Sequence, residues 1–192
     1  TTYFVPLGAL YEIWRVKLTN RSSARRTIRA FTYCEFASHW SLSQDTVNLQ
    51  YSQNIVVGRW HGDLASIVSN PNLDPPGSSH AFIGLAGAET TGYDLDREVF
   101  IGTTAGYHDP EAVERGKCLN SQAFSDNACG GLETLIELEA GETREFCVVL
   151  GVGSVEEGRR ALSTCASTIG VQSMLDEVRE HWHAKLQALS VK

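Results

Sequence analysis

"LETLIELEAGETREFCVVLGVG", residues 132–153, decides how this chain is read. Leu132, then Leu135 or Ile136, then Leu138 lead into "AGET", residues 140–143, and Phe146, Val148 and Leu150 leave it. Successive side chains of a strand point to opposite faces, so apolar residues at every second position mark a strand with one buried face. "AGET" between the two runs is turn-like, and Gly141 suits a backbone position with positive φ. The stretch reads as an antiparallel hairpin.

The same pattern recurs towards the N-terminus. In "EIWRVKLTN", residues 12–20, Trp14, Val16 and Leu18 share one face; "NRSSAR" supplies turn residues. "RTIRAFTYCEF", residues 26–36, then runs Ile28, Ala30, Thr32, Cys34 and Phe36 in one phase, and the pair reads as a second hairpin. "QNIVVGRW", "LASIVSN" and "AFIGLAG" are further short strand candidates, whereas "NPNLDPPGSS", residues 70–79, is a loop by its proline, glycine and asparagine content.

The texture changes at Ser154. Ser154 with Glu157 three residues on has the form of a capping box, predicting a helix to about Thr168. After Gly170, Val171, Met174, Leu175, Val178, Trp182, Leu186 and Leu189 recur at three- and four-residue steps, the stripe of an amphipathic helix. Strands followed by helices, rather than alternating with them, predict a mainly β domain with a helical end.

Composition bounds the function. The chain has 192 residues, 42% hydrophobic and 20% charged, the balance of a globular protein of one domain or a domain with an extension. It has no apolar run long enough for a membrane span and no secretory signal pattern, so the expected setting is cytoplasmic, with no membrane partner. The opening "TTYFVPLG" lacks a Met and is already strand-like, which reads as a piece of a longer polypeptide. A net charge of -7 argues against nucleic acid; "NRSSARRTIR", residues 20–29, carries Arg21, Arg25, Arg26 and Arg29 and reads as a solvated tip. The five cysteines are odd in number and none is spaced C-x-x-C, which signals neither a zinc site nor a disulfide framework.

Several candidate motifs carry no chemistry on geometric grounds. His181 and His183 sit two residues apart on a helix and point about 200° apart, so they cannot grip one ion. Asp94 and Asp96 in "DLD" resemble the acidic pair with which some nucleotide-sugar transferases hold a divalent cation, but Arg97 and Glu98 follow, and a local ion-pair cluster accounts for the charges as well. Among sequence motifs, G-x-S-x-G, the P-loop, G-x-G-x-x-G and H-E-x-x-H do not occur.

Three stretches together carry a resemblance: "YFVPLGALYEIWRVKLTNRSSARRTIRAFTYCEF", "DTVNLQYSQN" and "DREVFIGTTAGYHDPEAVERGKCLNSQAFSDNACGGLETLIELEAGETREFCVVLGVG". With "REVFIG", "P-x-AVERGKC-x-NS" and "LEAGETREF" in that order and spacing, the chain resembles the N-terminal β-sandwich of glycoside hydrolase family 94, the cellobiose, cellodextrin and chitobiose phosphorylases. The resemblance implies an antiparallel, galactose-mutarotase-like super-sandwich over residues 1–153, incomplete at its N-terminus. Residues 154–192 would form a helical linker towards an α/α barrel that this chain lacks.

It further implies an inverting phosphorolysis of β-linked cello-oligosaccharides to glucose 1-phosphate, with inorganic phosphate as co-substrate and no other cofactor or metal. Phosphate is the attacking group, so the two-carboxylate pair of ordinary inverting hydrolases is not needed. The catalytic acid belongs to the barrel, so no catalytic residue is expected here, Asp45, Asp63, Asp94 and Asp126 included. The implied partners are a β-glucan oligosaccharide acceptor, the barrel and a second copy in a homodimer.

The resemblance also points to "DTVNLQYSQN", residues 45–54. In cellobiose phosphorylases the matching stretch reads N-F-Q-R, whose Gln and Arg reach towards the acceptor sugar; Asn48 and Gln50 keep that pattern, and Tyr51 stands where those enzymes carry Arg. Planar amides bond sugar hydroxyls and aromatic rings stack on sugar C–H faces, so Asn48, Gln50 and Tyr51 suit a longer cello-oligosaccharide. The alternative is a core Tyr51 beside a solvated Gln50. In "AVERGKCLNSQ", residues 112–122, Glu114 and Arg115 read as an ion pair holding a loop. Two other functions stay open: a non-catalytic carbohydrate-binding or structural module, and a family 94 enzyme for another β-linkage such as laminaribiose or chitobiose.

Overall fold

The computed structural model describes residues 1–36, 56–69, 81–104, 106–124 and 128–188. Asn48, Gln50 and Tyr51 lie outside the described residues. The chain opens with β1 (Thr2–Phe4), β2 (Tyr11–Thr19) and β3 (Arg26–Thr32). It continues through β4 (Val56–Trp60), β5 (Leu64–Ser69), β6 (Ala81–Ala86) and β7 (Gly92–Asp96). Two short helices, α1 (Arg97–Ile101) and α2 (Glu111–Arg115), precede β8 (Ala123–Phe124), β9 (Ala128–Leu138) and β10 (Thr143–Val152). The helices α3 (Val155–Cys165) and α4 (Thr168–Ala188) close it.

The strands form two antiparallel sheets, a seven-stranded one in the order β1-β2-β10-β6-β5-β4-β8 and a three-stranded one in the order β3-β9-β7. The expected mainly β sandwich is present. The two hairpins that the sequence pattern suggests are not. β9 and β10 lie in different sheets, and so do β2 and β3. Each pair is an arch that steps from one sheet to the other, and the arches stack, β2 pairing with β10 and β3 with β9. Period-two alternation identifies the face a strand buries; it carries no information about which strand lies beside it.

The arches meet at Asn20, which is buried. Its backbone N–H donates to the Glu142 carbonyl and its carbonyl accepts from the Gly141 N–H, both at 2.9 Å. Its side-chain amide donates to the carbonyls of Ala24, Leu138 and Glu139 at 2.8, 3.1 and 3.0 Å. Gly141 turns the chain at φ 77°, a conformation that costs a glycine nothing and a β-carbon about 1 kcal/mol or more. Two of the four arginines of the tip are matched by the glutamates of β9 and the arch beyond it: Arg25 meets Glu137 and Glu139, and Arg29 meets Glu133. That pairing offsets part of the local positive charge.

Between the sheets lies a core of Leu85, Leu95, Leu132, Ile136, Leu138, Phe146 and Val148, flanked by Trp14, Val16, Leu18, Ile28 and Ala30. The expected buried phases of β2, β3 and β10 are those seen, and of the two alternatives in β9 it is Ile136 that turns inward while Leu135 is exposed. A second core lies on the other face of the large sheet. There Ile13, Phe82, Cys147 and Val149 meet Ala161, Leu162 and Cys165 of α3 and Val171 of α4. Several strands are therefore apolar on both faces, as a sheet covered by helices requires. Each such large side chain taken from water contributes about 1.5–3 kcal/mol.

The capping box forms as expected, Ser154 Oγ accepting from Glu157 N–H and the Glu157 carboxylate accepting from Ser154 N–H. The stripe of α4 is buried at Val171 and Leu175, but Trp182 and Leu186 are exposed. No helix among the described residues is long and apolar enough to cross a membrane.

Candidate functional site

The "DREVFIG" and "AVERGKCLNSQ" stretches come together on the outer face of the three-stranded sheet. Asp96 ends β7 and caps α1, its carboxylate accepting from the Glu98 and Val99 N–H groups at 2.8 and 3.4 Å. Phe100 and Ile101 of α1 turn inward onto Ala112, Cys118 and Cys129. Phe100 lies directly over Gly131 of β9, where any β-carbon would overlap its ring. Arg115 of α2 reaches back to the Val99 carbonyl at 3.4 Å, tying the two helices.

Two carboxylates hold this cap from beneath. Asp94 is 0% exposed, and its oxygens accept from the Leu119 N–H, the Ser121 N–H and the Ser121 hydroxyl at 3.1, 3.0 and 2.8 Å. Arg115 approaches it at 3.7 Å. Glu133 is 2% exposed; it accepts from the Cys118 N–H at 2.7 Å and pairs with Arg29. Charge-assisted bonds to backbone amides offset the cost of burying these groups. The Arg115 partner is thus Asp94, not the Glu114 that its position in the sequence suggests. Asn120, at φ 58°, takes the left-handed conformation that asparagine tolerates better than most residues, and its side-chain oxygen accepts from the Tyr93 N–H.

The oxygens of Asp94 and Asp96 are therefore engaged by amides and a hydroxyl rather than converging on one point. Among the described residues no group of three or more His, Cys, Asp and Glu is placed to hold a metal ion. His181 and His183 sit on the outer half of α4, with Trp182 edge-on to His181. A serine–histidine contact does exist, His61 Nε2 lying 2.6 Å from Ser66 Oγ. Ser66 is buried, and the neighbouring Asp63 accepts from Arg159 of α3 at 2.8 Å. The trio clamps the β4–β5 turn to α3 and offers no accessible nucleophile.

At the rim of the cap is a polar and aromatic cluster that the sequence reading does not single out. Glu35, just beyond β3, accepts at Oε1 from the Tyr33 hydroxyl, the Tyr107 hydroxyl and Arg97 Nε at 2.6, 2.7 and 3.0 Å. Burial works against ionisation of Glu35, but these three bonds outweigh it and hold the carboxyl below its ordinary range. The Arg97 guanidinium lies over the Tyr107 ring, 5.5 Å from its centre, and Tyr33 stacks on Phe100 at 5.0 Å. Tyr107 is nevertheless 64% exposed. Arg97 and Tyr107 stand 62 and 72 positions from Glu35 in sequence, so no local pattern marks the cluster.

Comparison with known proteins gives the family. The domain described as "Glycosyl hydrolase 94, supersandwich domain" matches residues 1–168. An N,N'-diacetylchitobiose phosphorylase of Vibrio proteolyticus is 31% identical over the whole of this chain, which covers 23% of that protein. A 3-O-beta-D-glucopyranosyl-beta-D-glucuronide phosphorylase and a solabiose phosphorylase, both of Paenibacillus borealis, are each 28% identical, over 93% and 79% of this chain and 23% and 19% of their own lengths. The chain spans about a quarter of the first of these relatives. With its stacked arches, its helix-backed large sheet and a match over residues 1–168, the chain belongs to the glycosyl hydrolase 94 family, whose supersandwich domain it contains.

Proposed function

We propose that this chain is the sandwich part of a longer phosphorylase that cleaves a β-linked oligosaccharide with inorganic phosphate and inverts the anomeric centre. The observation that carries the reading is that the similarity to three carbohydrate phosphorylases runs over 79–100% of the chain. The catalytic acid belongs to the remainder of the polypeptide, reached through residues 154–192. The sandwich supplies acceptor contacts through Asn48, Gln50 and Tyr51, and a homodimer contact. Inorganic phosphate is the co-substrate, and no further cofactor enters.

The acceptor we propose is a cello-oligosaccharide, because Tyr51 offers a stacking surface where a cellobiose enzyme carries Arg. A second reading, N-acetylglucosamine as acceptor, is favoured by the chitobiose phosphorylases of two Vibrio species, 31% and 30% identical over the full chain. The test is phosphate release from glucose 1-phosphate, and from its N-acetylglucosamine counterpart, by the full-length polypeptide. Glucose, cellobiose and N-acetylglucosamine are each offered as acceptor. Turnover with cellobiose well above glucose supports the cellodextrin reading; turnover with N-acetylglucosamine alone transfers it to the second. The absence of phosphate release with every pair overturns the phosphorylase reading. The 192-residue chain by itself turns over none of them.

A further inference from the structure

The geometry points to a saccharide-binding platform built from Tyr107, Arg97 and Glu35, residues other than Asn48, Gln50 and Tyr51. The ligand class is a neutral β-linked oligosaccharide.

Three observations carry it. First, Tyr107 is 64% exposed and yet fixed, its hydroxyl donating to Glu35 at 2.7 Å and its ring covered on one side by Arg97. Ordering a large ring in solvent costs rotamer entropy and leaves apolar area wet, so the arrangement favours a ligand that covers the ring. Second, all three donors converge on Oε1 of Glu35, and Oε2 makes no hydrogen bond to a described residue. An ionised carboxylate is acceptor-only, with about four lone-pair sites. Third, Arg97 donates to Glu35 through Nε, and its Nη2 lies 3.4 Å from the Tyr107 oxygen, which leaves further N–H donors of the fork.

The ligand follows from that set. Glu35 neutralises Arg97, so the cluster has no net charge with which to attract a phosphate or sulfate. An aromatic face, an acceptor and a donor fork side by side match a sugar ring, with a C–H face to stack and vicinal hydroxyls to bond. The choice of a β-linked sugar rests on the phosphorylase reading; the platform itself rests on the geometry. Bound there, an oligosaccharide lies on the cap of α1 and α2 rather than between the sheets.

The test is calorimetric titration of the full-length polypeptide and of the 192-residue chain with cellopentaose, chitopentaose and, as an α-linked control, maltopentaose. The wild-type chain binds one of the β-linked sugars and not maltopentaose. Tyr107→Ala weakens that binding about tenfold, while Tyr107→Phe, which keeps the ring, stays within about threefold. Unchanged thermal midpoints show that both variants are folded. Equal affinity of wild type and Tyr107→Ala overturns the platform, and so does the absence of β-linked binding in the wild-type chain. Either result leaves the phosphorylase reading to stand or fall on phosphate release.

Discussion

Asn20 and Gly141 stand at the corners of two different arches, and the Gly141 N–H donates to the Asn20 carbonyl at 2.9 Å. With the return bond from Asn20 N–H to Glu142, the link makes one unit of four strands that belong to two sheets. The Asn20 side chain adds three bonds to backbone carbonyls on both arches.

Replacing Asn20 by Ala removes those donors and takes the amide partner from the carbonyl of buried Leu138, while the Ala24 and Glu139 carbonyls keep the Ser22 hydroxyl and the Glu142 N–H. Its expected cost is about 2–3 kcal/mol of unfolding free energy, read from the urea midpoint at constant m. Asn20→Asp keeps the shape but loses the amide donors, and matches the alanine variant rather than the wild type.

Asp94→Asn keeps the size of the side chain but puts an NH2 group where Asp94 accepts from Leu119 and Ser121. The loop over residues 116–121 loses its charged clamp, with a loss of about 1–3 kcal/mol. Hydrogen exchange at the Leu119 and Ser121 amides accelerates, while exchange in β10 follows only the global change.

His61 gives a pH signature. Its burial, and then the Arg159 guanidinium, lower its pKa from 6.5. The unfolded chain therefore takes up the proton first, and stability is full above about 6.5 and falls as pH drops from there towards the folded value. Between pH 7.5 and 5.5 the unfolding free energy of wild type declines more steeply than that of His61→Asn, measured by urea titration at each pH.

Cys147 and Cys165 are 5% and 2% exposed, and burial first of all pushes their thiols up to about 11 and about 12. A thiolate is the reactive form. Iodoacetamide at pH 8 leaves both unmodified in the folded chain and labels them in denaturant, as read by mass spectrometry.

Gln50→Ala in the full-length polypeptide raises the acceptor KM by a factor on the order of 10 if one or two hydrogen bonds to the sugar are lost, with kcat less affected. An unchanged acceptor KM removes Gln50 from the site.

The alternation of Trp14, Val16 and Leu18, and of Phe146, Val148 and Leu150, by itself specified β-structure and the faces that line the inter-sheet core. Ser154 and Glu157 specified where α3 begins, because a cap is made of residues three apart. The motif order was enough to point to the family. Local spacing supplied the strands and the helix start, since each depends on neighbours within a few positions.

What tertiary structure alone decided is partnership. It turned two apparent hairpins into stacked arches, gave Arg115 to Asp94 over a separation of 21 positions instead of to adjacent Glu114, and brought Glu35 to Tyr107 over a separation of 72. Buried charges take the partner that the packed layers put within reach, and that distance is set by which strands pair rather than by their order along the chain. The periodicity of β2 foretold a face for Trp14; only the docked helices α3 and α4 gave Ile13, on the opposite face, its own core.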